Sequence, residues 1–122
     1  MSFDEPVTIG LSNGAHGKLQ RMKEDGHFAE LMDGYRLAIG LALAYGVEPA
    51  IVTNRNTMFN IGSLDPDRSI YHAVQALRQN KDEAVYRTAE RLAEWGVEEM
   101  YRQVETGTFS IVELLQEAEA RG

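Results

Sequence analysis

His16, His27 and His72 fall in different stretches of the chain, so no two share a local motif. Zinc held by a local motif needs ligands at close, regular spacing, so the sequence predicts no metal centre. Asp65-Pro66-Asp67 brings two carboxylates together. They suit a hard cation, but ahead of an apolar run at helical spacing they also read as negative charge at a helix N-terminus. Glu98 and Glu99 are adjacent in a charged stretch, where acid–base work would require burial to shift a pKa. The chain has no Gly-x-Ser-x-Gly elbow, Walker loop, dinucleotide fingerprint or His-Glu-x-x-His segment, and Ser63 after Gly62 has no neighbouring base. Zero cysteines exclude thiolate chemistry. The expectation is therefore no catalytic residue, no cofactor and no enzyme. A pocket uniting Asp65, Asp67 and His72 around an ion would be the sign to the contrary.

The elements that position these side chains follow from length and pattern. A chain of 122 residues, 43% hydrophobic and 25% charged, is sized for one domain with one core over residues 1–122. Twelve basic against nineteen acidic residues leave a formal charge of −7, so any contact with nucleic acid must be local. The balance is uneven: residues 51–81 carry four bases and two acids, residues 82–122 four bases and ten acids. Met1 to Pro6 does not resemble a targeting segment, which predicts a cytoplasmic protein. The most apolar run, Leu37 to Val47, is far short of the roughly 20 residues that cross a bilayer, so no membrane contact is expected.

Val7 to Ser12 alternates apolar and small or polar residues, the period of a half-buried strand. A lone strand needs a partner for its backbone groups, either in the chain, where Thr57 to Ile61 is the candidate second strand, or in another copy. Ser12 or Asn13 caps a first helix through Ala15, Leu19 and Met22, ended by Asp25-Gly26. A second starts near Phe28, with Tyr35, Ala38, Ile39 and Ala42 inward, and stops at Gly46. Gly34 and Gly40 predict close approach of another backbone. A third helix runs from Arg68 or Ser69 to near Asn80. A fourth spans Asp82 to about Glu105, with Gly96 predicted to kink or divide it. The fifth carries a Ser110/Glu113 capping box and a Phe109/Leu114 staple. The fold class is mainly α, with one N-terminal strand, about five helices and the short second strand at 57–61. Tyr35, Tyr45, Tyr71, Tyr86, Trp95 and Tyr101 lie on or beside the apolar stripes, as core residues or as interface residues.

The alternating strand, three-turn helix, Gly-containing turn and apolar helix of residues 7–46 resemble the ribbon-helix-helix family of DNA-binding proteins. That resemblance implies a homodimer at least, paired through Val7 to Ser12, with Val7, Ile9 and Leu11 inward and Thr8, Gly10 and Ser12 toward duplex DNA. Lys18 and Arg21 share a helix face that would meet phosphates. The strand departs from the family's pattern in having no Arg, Lys, Asn or Gln facing outward, and Asp4 and Glu5 precede it.

Residues 28–106 carry a second likeness. Ala44-Tyr45-Gly46, Phe59-Asn60-Ile61, Leu64-Asp65-Pro66-Asp67 and Ala93-Glu94-Trp95-Gly96-Val97 resemble small accessory proteins of bacterial DNA phosphorothioation (Dnd) systems. This implies a protein acting in DNA modification or defence beside a larger modification or restriction protein. The leading expectation is thus a non-enzymatic DNA-associated regulatory or accessory protein, with Thr8, Ser12, Lys18 and Arg21 as its DNA-binding residues. The alternative is an interaction module that docks on a larger enzyme without touching nucleic acid.

Overall fold

The structure is a computed structural model, and it describes residues 4–107. Its elements are β1 (Thr8–Ser12), α1 (Asn13–Glu24), α2 (Leu31–Tyr45), β2 (Arg55–Asn60), α3 (Ile61–Leu64), α4 (Ser69–Leu77) and α5 (Val85–Glu105). The fold is mainly helical, as the sequence predicts. The short α3 was not among the expected helices, and the helix expected after Ser110 lies outside the described residues. No described helix is long and apolar enough to cross a membrane.

Local chemistry sets the boundaries. Ser12, extended, ends β1 and starts α1 by accepting the Ala15 amide on its hydroxyl at 3.2 Å. Gly46, at φ 64°, closes α2 in the left-handed conformation that glycine adopts without strain. Asp65 accepts the Ile70 and Tyr71 amides and Asp67 the Ser69 amide, so both carboxylates serve the N-terminus of α4. The first amides of α5 are satisfied from far away, Val85 and Tyr86 donating to the Glu5 carboxylate at 2.8 and 2.9 Å.

The core lies where α2 crosses α5, with Tyr35, Ala38, Ile39 and Ala42 against Ala89, Ala93, Val97 and Met100, all buried. Gly96 does not divide α5, which runs unbroken for 21 residues. The glycine serves contact: a methyl there would overlap the Ala38 carbonyl of α2. The expected close approach of backbones is therefore at Gly96. Gly34 instead faces the side chains of Phe28 and Leu19, and Gly40 faces open space.

The strand finds its partner within the chain. β1 and β2 pair antiparallel, with Ile9 opposite Phe59, Gly10 opposite Thr57 and Ser12 opposite Arg55, leaving Met58 as a bulge. Ile9 and Leu11 point into the core, but Val7 precedes the strand and is 79% exposed. Gly10 is buried rather than outward. Its amide donates to Glu90 at 2.9 Å, and its carbonyl accepts the Tyr35 hydroxyl at 2.9 Å. The edge of β1 away from β2 is thus closed by side chains.

Candidate functional site

Of the four residues expected to meet DNA, Ser12, Lys18 and Arg21 have side-chain partners within the chain. Thr8 is half-buried opposite Asn60. Ser12 donates its amide and its hydroxyl to the two oxygens of Glu94, at 3.0 and 2.6 Å. Lys18 pairs with Glu98 at 2.5 Å and lies 5.6 Å from the centre of the Tyr101 ring. Arg21 pairs with Asp25 at 3.5 Å and remains mostly exposed. Ser12 and Lys18 meet one face of α5, whereas Arg21 looks to its own helix end.

That face was missed from sequence. Glu90, Glu94 and Glu98 recur every four residues along α5 and engage Gly10, Ser12 and Lys18 in turn. The signal was the period of four. Glu90 is 3% exposed and also takes Arg55 at 3.1 Å and Arg87 at 3.2 Å. Other cations are likewise engaged: Arg36 donates to the Ser63 and Leu64 carbonyls, Arg91 to Glu83, and Arg102 to Glu99.

Asp65, Asp67 and His72 do not assemble into a pocket. Asp65 is buried and accepts the Tyr86 hydroxyl at 2.8 Å besides its two helix amides, while Asp67 and His72 are exposed. Burial, followed by the bond to Asp65, pushes the Tyr86 phenol up to about 12. Among the described residues no group of three or more His, Asp or Glu is placed to hold a metal ion.

The surface feature best suited to recognition is a shallow depression of about 300 Å³ where the end of α2 meets α5. Tyr45, Val47 and Trp95 line it, with Glu99, Arg102 and Gln103. The Tyr45 and Trp95 rings stand 5.9 Å apart and tilted by 58°. Arg102 and Gln103 both donate to the Glu99 carboxylate, and the Arg102 bond holds that carboxyl below its usual range. The guanidinium of Arg102 stays 63% exposed at the mouth. A second cavity, lined by Val47, Pro49, Leu77, Arg78 and Leu92, measures about 40 Å³, room for a few waters rather than an organic ligand.

Compared with protein-family models, curated proteins and solved structures, the chain matches none.

Proposed function

We propose that the protein is a non-enzymatic interaction module that docks on a larger protein. The observation that carries this reading is the depression itself. It gathers Tyr, Trp and Arg, the residue types that dominate binding hot spots, at an open site between the end of α2 and the acidic α5. The engagement of Lys18, Arg21, Arg55, Arg87, Arg91 and Arg102 with carboxylates supports it too, because a phosphate would have to displace each of those partners. The partner implied by the Dnd resemblance is a larger DNA-modification or restriction protein.

DNA association is the second reading, and one observation favours it. The exposed positions of β2 are Arg55, Asn56, Thr57 and Asn60, side-chain types that bond base edges, on a two-stranded ribbon of the kind a major groove admits.

One experiment separates the two. The full chain is co-expressed with the products of neighbouring genes and purified, in wild-type form and as Tyr45→Ala and Arg102→Glu, and each form is titrated with duplex DNA at low salt. Copurification of one stoichiometric partner, lost in both variants, supports docking. Salt-sensitive DNA binding with no such partner replaces it by the second reading.

A further inference from the structure

The two edges of the β1–β2 ribbon differ. On β1, Glu90, Tyr35 and Glu94 hold the Gly10 amide, the Gly10 carbonyl and the Ser12 amide. Backbone groups along an antiparallel ladder turn alternately toward and away from the partner strand. Gly10 and Ser12 turn away from β2, so their opposite numbers, Thr57 and Arg55, turn away from β1. Both are exposed, and among the described residues neither backbone has a hydrogen-bonding partner on that side. An edge strand so exposed is a template for pairing.

We infer that this edge of β2 pairs antiparallel with the same edge of a second copy, joining two ribbons into a four-stranded sheet. The register is self-complementary. With Asn56 on the two-fold axis, Arg55 of each chain stands opposite Thr57 of the other, and each pair exchanges two N–H···O=C bonds. No like charges meet at the seam, where Arg55 of each chain is held by Glu90 at 3.1 Å but stays partly exposed. The seam also lies within residues 51–81, which carry four bases against two acids, so two chains of charge −7 meet there with little local repulsion. The Met58 bulge bends β2 and confines the pairing to residues 55–57, so the dimer dissociates on dilution.

Sedimentation equilibrium of the full chain over a concentration series tests this, with Thr57→Glu and Thr57→Arg beside the wild type. Position 57 is exposed, so both variants fold. In the dimer Thr57→Glu creates two opposite-charge pairs with Arg55 and tightens association about tenfold, whereas Thr57→Arg creates two like-charge pairs and weakens it comparably. Net charge alone predicts the reverse order, because Glu carries the chain further from neutrality and Arg brings it nearer. The ordering Glu, wild type, Arg supports pairing through β2. A chain that stays monomeric up to about millimolar concentration overturns the inference. So does a dimer unmoved by the substitutions, or one that follows net charge.

Discussion

The carboxylate of Glu90 accepts the amide of Gly10 at 2.9 Å across 80 positions of sequence. Glu94 does the same for Ser12 at 3.0 Å. The two spacings agree: four residues of helix rise about 6 Å, and two residues of strand about 6.8 Å. α5 therefore lies along β1 and supplies acceptors at nearly the interval a third strand would. The carboxylates replace a ladder, and what the row is worth follows from burial.

Glu90 bonds an amide and two guanidiniums from a site 3% exposed, and since both Arg side chains reach water, the main loss in Glu90→Ala is the buried Gly10 amide left without an acceptor, about 1–3 kcal/mol. Glu98→Ala breaks a pair whose side chains are 37% and 43% exposed, and costs under about 1 kcal/mol. Glu94→Ala falls between. Urea unfolding of the three variants checks the gradient, and equal losses would contradict it.

Gly10 has no substitute. A methyl at that position would overlap the Asn56 carbonyl oxygen in β2, so Gly10→Ala forces the strands apart and costs about 1–3 kcal/mol or more. Gly14→Ala, at the second residue of α1 with nothing within 4 Å, is the control and loses no stability. A Gly10→Ala variant as stable as that control would show that the strands do not meet here.

The helix glycines divide in the same way. Gly96→Ala pushes against the Ala38 carbonyl and opens the α2–α5 crossing, lowering Tm. Gly40→Ala, on the exposed side of α2 with no neighbour, raises stability by up to about 1 kcal/mol. Thermal melts followed by circular dichroism distinguish the two signs.

Alkaline pH should find Tyr86. Its phenol titrates near 12 in the folded chain against 10.0 ordinarily, so the unfolded state loses its proton first. The stability contribution is whole below pH 10 and is lost as pH rises from 10 through 12. Tyrosinate absorbance during unfolding at a series of pH values measures this, and Tyr86→Phe should flatten the decline. An undiminished decline in that variant would assign it to other groups.

Much of this architecture was legible in local signals. The Ser12 cap, the Gly46 stop and the two aspartates at α4 are each decided within a few residues, and all three stand where the pattern puts them. The second strand was placed at 57–61, two residues late at its start and one at its end, because Arg55 and Asn56 have no apolar signature. Gly96 was misread as a break because a glycine that admits a crossing backbone looks, in sequence, like one that bends a helix. The candidate surface was harder to see. Tyr45 and Trp95 lie 50 positions apart and meet only because α2 and α5 cross, and no spacing rule announces that. Glu5 carried no signal for its role at α5, since a cap supplied from 80 residues away has no local motif.

The Glu5 clamp has a consequence for how the protein is made. The amides it accepts are the first two of α5, the last described helix, so Glu5 has no partner there until α5 exists. At ordinary rates of synthesis, about 5–20 residues per second, the 80 residues between Glu5 and Val85 take roughly 4–16 s to emerge. Throughout that interval Ile9 and Leu11 lack the α5 side of the core that later covers them. A nascent chain halted before α5 would present an apolar N-terminal strand to chaperones, and release of the finished chain would hide it in one late, cooperative step.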